Sequence, residues 1–260
     1  MHEHITVLSL GAGVQSSTLA LMAEHGEIEK PDYAIFADTG WEPKKCYEWL
    51  DWLETKLTYP VIKIQHSNLR EDLISQNNST GQRIAAVPFF TSNGGMGRRQ
   101  CTNEYKIQPI IKKVRELLGV QPRIRIPKDT VNMLIGISLD EAQRMKPSKK
   151  KWIKNEWPLI DLRMTRGHCL QWMKEHGYPE PPKSSCLGCP YHSEKMWIEL
   201  KKTDEWKDIV YMDSIIRDQP KFNHKQFMHK SIRPIDQVNF IYDDATVDMF
   251  GNECEGFCGV

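Results

Sequence analysis

Four short apolar runs constrain the fold of this chain more than any other feature: "ITVLSL" (5–10), "YAIFA" (33–37), "VIKIQ" (61–65) and "VNMLIGI" (131–137). The first three each lead into a stretch with helical periodicity, namely "SSTLALMAEHG", Lys44 to Leu57, and "NLREDLIS". Apolar runs that do not alternate with polar residues make strands buried on both faces. Such strands alternating with helices predict an α/β fold, a parallel sheet flanked by helices. "KIQPIIKKVRELLG" (106–119) predicts a further helix ending at a glycine C-cap. Between them, residues 77–100 form a long segment rich in Gly, Asn and Ser, of the kind that is usually functional. Beyond Arg144 come a basic stretch and then helical, tryptophan-bearing sequence. We therefore expect an α/β nucleotide-type domain over residues 1–145 and a mostly helical, cysteine-bearing lobe over 146–260.

Charge narrows the function classes. With 35 Lys and Arg against 34 Asp and Glu, the net charge of +1 excludes a strongly basic nucleic-acid coat and an acidic tail. No apolar run approaches the ~20 residues of a membrane span. "MHEHITVLSL" lacks the cationic start of a secretory signal, so the expected compartment is the cytoplasm.

"SLGAGVQSSTLAL" joins the end of a strand to the start of a helix through Gly11 and Gly13, with Ser16, Ser17 and Thr18 opening the helix. This arrangement aims backbone N–H groups and the helix dipole at an anion. It is not a Walker A loop, because no Gly-Lys-Ser/Thr follows. An ordinary strand–helix turn with a hydroxyl N-cap is the plain alternative.

The seven cysteines divide by context. Cys186 and Cys189 form a C-x-x-C followed by proline, a spacing that chelates one metal or two corners of an iron–sulfur cluster. Cys101 follows Arg98 and Arg99, whose charge favours a thiolate. Arg99 in particular, in a glycine-rich segment, suits a bidentate phosphate or sulfate clamp, with Lys106 nearby. Cys254 and Cys258 lie among glycines in the last seven residues and suit a mobile thiol tail. Cys46 and Cys169 fall on helical patterns and read as buried, inert thiols. The remaining five leave three options: a cluster on Cys101, Cys186 and Cys189, a zinc site, or a redox dithiol. Lys149, Lys150, Lys151 and Lys154 form the one dense basic run, either a nucleic-acid or phosphate contact or a solvated face. Trp152 and Trp157 beside it suit base stacking or core packing.

On three segments the chain resembles a known family. "GAGVQS" (11–16) aligns with the S-G-G-x-D-S motif of the PP-loop, or adenine nucleotide alpha-hydrolase-like, superfamily. Gly13 and Ser16 match, while Gly11, Ala12 and Gln15 replace Ser, Gly and Asp. "FADTGWEP" resembles the D-T-G segment of its sulfonucleotide reductase branch, and "GISLDEAQRM" resembles that branch's glycine-led strand end with acidic residues and an arginine. The cysteines resemble those of iron–sulfur sulfonucleotide reductases and of the ATP-hydrolysing component of Dnd-type DNA phosphorothioation systems. The reductases carry a Cys-Cys pair where this chain has Cys101 alone, and "NECEGFCGV" echoes their Glu-Cys-Gly tail without matching it.

The resemblance implies that Gly11, Gly13, Gln15, Ser16 and Ser17 hold the phosphates of ATP with Mg²⁺. It places Asp38 and Thr39 by the nucleoside, with Gly136 and Arg144 at the same site. Cys101, Cys186 and Cys189 would hold a 4Fe-4S cluster, with zinc as the alternative metal, and Cys254 or Cys258 would act on sulfur. The implied activity is ATP pyrophosphatase chemistry that adenylates a DNA phosphate or tRNA base for sulfur transfer. A thioredoxin-dependent sulfonucleotide reductase and a non-catalytic nucleotide sensor are the alternatives. Implied partners are a sulfur donor such as a cysteine desulfurase, a nucleic acid reached through a partner protein, and a second copy of the chain, with no membrane.

Overall fold

The computed structural model describes residues 4–82 and 87–241; Cys254 and Cys258 lie outside them. The chain runs β1 (Ile5–Leu10), α1 (Val14–Glu24), β2 (Tyr33–Asp38), α2 (Lys44–Glu54), β3 (Val61–Gln65) and α3 (Leu69–Ser75). A two-residue β4 (Phe90–Thr91) precedes a π-helical segment, Thr102–Ile107, that continues into α4 (Gln108–Leu117). Then come β5 (Val131–Ile135), β6 (Ile153–Glu156), α5 (Pro158–Asp161), α6 (Arg166–Glu175), α7 (Glu194–Lys201), α8 (Trp206–Arg217) and β7 (Gln226–Phe227). The expected parallel sheet flanked by helices is present: five strands in the order β3-β2-β1-β5-β6, every pairing parallel. β4 and β7 form a separate antiparallel ribbon.

Period-two alternation splits the strands between two apolar layers. Leu8 and Leu10 of β1 join α1, α2 and α6 through Leu19, Trp49, Leu53 and Trp172. Val7 joins α4 on the other face through Ile110 and Val114, with Ile35, Met133 and Ile135. A third apolar cluster gathers Trp41, Phe89 and Tyr105 with Trp197, Ile209 and Met228, so the C-terminal helices pack on segments that precede residue 106. Asp208 on α8 ties them further, accepting from Trp41 Nε1–H at 2.9 Å and from Arg70 on α3 at 2.6 Å.

The sheet does not stop at residue 145. β6 lies within the basic run and pairs with β5, Val131 opposite Ile153 through Leu134 opposite Glu156. A division near 145 therefore falls between two paired strands. Ile153 and Asn155 are buried while Lys154 is exposed, the charged outer face expected of an edge strand. α4 ends as its sequence predicts, with Gly119 at φ 65° just past its C-cap.

Candidate functional site

After β1 the chain turns on Ala12, at φ 57°, and Gly13 becomes the N-cap of α1. α3, α6 and α7 begin on capping side chains, those of Asn68, Thr165 and Ser193. α1 has neither a side-chain cap nor an acidic residue in its first turn. Its hydroxyls are engaged elsewhere. Gly11 N–H donates to Ser16 Oγ at 3.1 Å, Trp49 Nε1–H donates to Ser17 Oγ at 2.9 Å, and Thr18 Oγ1–H donates to the Val14 carbonyl at 2.8 Å. What this helix end offers an anion is therefore first its backbone N–H groups, electropositive and without intrahelical partners.

Gln15 is fully buried; its Nε2–H donates to Ser138 Oγ at 3.4 Å, and its Oε1 has no partner. That bond joins α1 to the loop after β5, which also contains Gly136. The strand order reverses direction between β1 and β5, and open α/β sheets form ligand crevices at the carboxyl ends of strands at such a point. Arg144, carried by the same loop, pairs with Glu141 at 2.5 Å.

Asp38 shapes the turn after β2 through one of its carboxylate oxygens. It accepts from Gly40 N–H at 2.7 Å and from the Tyr47 hydroxyl at 2.8 Å. Gly40 sits at φ 75°, and a Cβ there would lie 2.5 Å from the Gln65 side chain. Burial, and then the bond to Asp38, push the Tyr47 phenol upward, which keeps it a donor. Thr39 faces the cysteines: its Oγ1 donates to Glu42 Oε1 at 3.1 Å and lies 3.2 Å from Cys186 Sγ.

The C-x-x-C segment lies directly on these two loops. The Ser184 hydroxyl donates to the Gly11 carbonyl, and Leu187 N–H donates to the Trp41 carbonyl at 2.8 Å. Cys189 N–H closes the turn on the Cys186 carbonyl at 3.0 Å. Gly188 is pressed on the Trp41 indole so closely that a Cβ would fall 2.2 Å from Cη2. His192 clasps the turn from behind, its Nε2–H donating to the Leu187 carbonyl at 3.1 Å and its Nδ1 lying 3.3 Å from Ser185 Oγ. Burial, aided by the Lys183 charge, lowers its pKa to about 3, so it is neutral. No spacing rule marks His192 in the sequence, and only its position three residues after Cys189 hints at this role.

Beneath the turn lies a buried ion pair that the sequence reading did not anticipate. Lys106 Nζ is 3.3 Å from Glu42 Oε1, with side chains 4% and 0% exposed, and Glu42 Oε2 has no hydrogen-bond partner. The π-helical segment makes this possible, since Thr102, Glu104, Tyr105 and Lys106 are all buried within one widened stretch. Cys46 is buried nearby; burial and the Glu42 carboxylate push its thiol far up, consistent with an inert role. Cys169 is likewise fully buried, in the layer between α1 and α6.

Cys101 is the N-cap of the π-helical segment, and it and Cys186 each pack against the third apolar cluster. Arg99 Nε–H donates to Thr102 Oγ1 at 3.2 Å, and its guanidinium lies 5.2 Å from the Tyr191 ring, two residues past Cys189. The arginine thus joins the Cys101 segment to the C-x-x-C segment. Among the described residues, Cys101, Cys186 and Cys189 form no trio of donors within 4.8 Å. In the basic run, Lys154 pairs with Glu156 at 2.7 Å, and Trp152 and Trp157 pack on the apolar layer under α4.

Solved structures similar to this chain include phosphoadenylyl-sulfate (PAPS) reductase from Candida auris in a phosphate complex. The identity is 15%, the match covers 70% of this chain and 75% of that one, and the TM-score is 0.42. No family model matches the sequence, and no curated protein does. Among the described residues, no helix is long and apolar enough to cross a membrane.

Proposed function

We infer that the protein is an enzyme that uses an adenine nucleotide to drive sulfur transfer. The observation that carries this reading is the direct seating of the C-x-x-C segment on the two nucleotide-type loops, through Ser184 to Gly11 and Cys186 to Thr39. The contacts support a reading in which sulfur chemistry and phosphate chemistry share one place, at the carboxyl ends of β1 and β2.

In this reading ATP binds with its phosphates at the start of α1. An acceptor oxygen, on a DNA phosphate or a tRNA base, attacks the α-phosphorus, the α–β bond breaks and pyrophosphate leaves. The outer sulfur of a persulfide, delivered by a donor protein such as a cysteine desulfurase, then displaces AMP together with that oxygen. A second thiol attacks the donor's own sulfur, breaking the S–S bond so that the acceptor keeps the new sulfur and the donor leaves in a disulfide. Preorganised N–H donors at the helix start stabilise the charge that collects on the leaving group. Toward Mg²⁺ the chain offers the unpartnered Gln15 Oε1, a neutral oxygen suited to a hard cation but weaker than a carboxylate. Cys101, Cys186 and Cys189 are the thiols that would hold a 4Fe-4S cluster, and thiolates with a hydroxyl beside one of them suit that soft centre. Such a cluster supplies electron-transfer or sulfide-holding chemistry when bound.

The assay is incubation with ATP, Mg²⁺ and a candidate acceptor, duplex DNA or tRNA, followed by separation of nucleotides. AMP and pyrophosphate are the expected products, with Cys186→Ser retaining ATP cleavage and losing sulfur transfer. Formation of ADP, or no turnover, overturns the reading. The Glu253-Cys254 pair favours a second reading, sulfonucleotide reduction, in which a tail thiol attacks the sulfonate sulfur. Thioredoxin-dependent sulfite release without ATP cleavage would establish it, and silence in both assays would leave a nucleotide sensor.

A further inference from the structure

α1 and α6 end in the same way. At the end of α1, His25 is the C-cap, Gly26 takes φ 75°, and Glu27 N–H donates back to the Met22 carbonyl at 3.0 Å. At the end of α6, His176 is the C-cap, Gly177 takes φ 70°, and Tyr178 N–H donates back to the Met173 carbonyl at 2.9 Å. Both are Schellman turns, which reverse the chain sharply past the last helical residue. The two helices share one apolar layer, and their ends bring His25, Glu27 and His176 together with one donor atom from each within 4.8 Å of the others.

The geometry points to a divalent-cation site of the zinc class on these three residues. Each donor is held by a second group, as metal ligands characteristically are. His176 Nδ1–H donates to the Trp172 carbonyl at 2.8 Å, which leaves Nε2 with its lone pair, 3.7 Å from Glu27 Oε1. Trp172 Nε1–H is shared between the two Glu27 oxygens at 3.1 and 3.0 Å. The Tyr178 hydroxyl lies 2.9 Å from His25 Nε2 and fixes that ring, which stands edge-on to His176 with centroids 4.9 Å apart. Two imidazoles and one carboxylate are the donor set of borderline metals such as Zn²⁺. Two helix C-termini converge on the trio, and each contributes partial negative charge that favours a cation. The residues are exposed, so an ion there would keep positions open to solvent. Occupancy would staple the end of α1 to the end of α6, without reference to the cysteines at the opposite end of α1.

Co²⁺ titration of the chelator-treated full chain, followed by visible and near-ultraviolet spectroscopy, tests the site while separating it from thiol binding. A site made of nitrogen and oxygen donors gives d–d bands without sulfur-to-metal charge transfer. We expect one such equivalent in the wild type and in Cys101→Ser/Cys186→Ser/Cys189→Ser. It should be lost in His176→Ala and weakened about 10- to 100-fold in Trp172→Phe, which removes the group holding Glu27. A circular dichroism spectrum of His176→Ala matching the wild type excludes misfolding, and His176→Gln provides a second variant if it does not. Retention of the thiol-independent equivalent in both His176 variants, or its absence from the cysteine-free chain, overturns the assignment.

Discussion

The two ends of α1 are built on opposite principles. At its N-terminal end Val14 to Thr18 are buried, the helix lacks a side-chain cap, and its side chains bond to three other segments, through Gly11, Trp49 on α2 and Ser138 after β5. At its C-terminal end, ~16 Å along an 11-residue helix, His25 and Glu27 are exposed and the turn satisfies its own carbonyls. The first end is knit into three different segments of the fold; the second closes its own backbone turn and meets only the end of α6. Perturbations should therefore spread from the first end and stay confined at the second.

The sharpest way to break this contrast is Lys106→Met. Removing the cation strands the Glu42 carboxylate in a site that is 0% exposed, and the expected loss is about 3–5 kcal/mol in chemical denaturation. Adding Glu42→Gln should restore part of it; full stability of Lys106→Met alone would mean that the pair is not buried as described. Next comes Gly188→Ala. Its Cβ collides with Trp41, so a loss of about 1–3 kcal/mol is expected, with a change in tryptophan emission that reports the unseated turn. A neutral result would show that the turn gives way freely.

Acid supplies a third comparison. His192 has a pKa near 3 when folded and about 6.5 when unfolded. Stability from this group is full above pH 6.5 and falls as the pH drops toward 3, because the unfolded chain binds the proton first. Between pH 6 and 5 the loss is about 1 kcal/mol, and it should vanish from the slope in His192→Gln. An unchanged slope would mean that His192 is not held neutral. At the far end, metal-free His176→Ala should cost no more than about 0.5 kcal/mol, since its contact with Glu27 is an exposed pair. A larger loss would show that this end is not confined after all.

The parts of the fold that could be read in advance are those in which period and burial coincide. β1, β2 and β5 appear where their apolar runs lie, because strands covered on both faces cannot conceal their composition, and β3 shows itself by the alternation of "VIKIQ" at the edge opposite β6. β6 was hidden for the converse reason: at a sheet edge, "IKNE" needs only Ile153 and Asn155 inside, and within a lysine run its outer face looks like solvated surface. The loop after β1 was legible as a strand-to-helix turn, but not the diversion of Ser16 and Ser17 to Gly11 and Trp49. The second of these bonds depends on how close α2 comes. The bonds of Asp38 Oδ1 to Gly40 and Tyr47, and the meeting of Thr39 with Cys186, likewise depend on tertiary contacts that no motif spells out. The Glu42–Lys106 pair had no signature, since charged residues 64 positions apart look exposed until a π-helical stretch turns one of them inward. His25 and His176 carry no metal-ligand spacing because their proximity comes from two helix ends rather than from one segment.

The Ser184–Gly11 bond spans 173 residues, and the Thr39–Cys186 contact spans 147. A chain emerging from the ribosome can build the early βα units first, but it cannot close this site until the region around residue 190 has also emerged. Nascent and truncated chains would carry the loop after β1 without the C-x-x-C turn that sits on it. Assembly order thus keeps the two segments apart until the second has been made, a delay that arises from the connectivity alone.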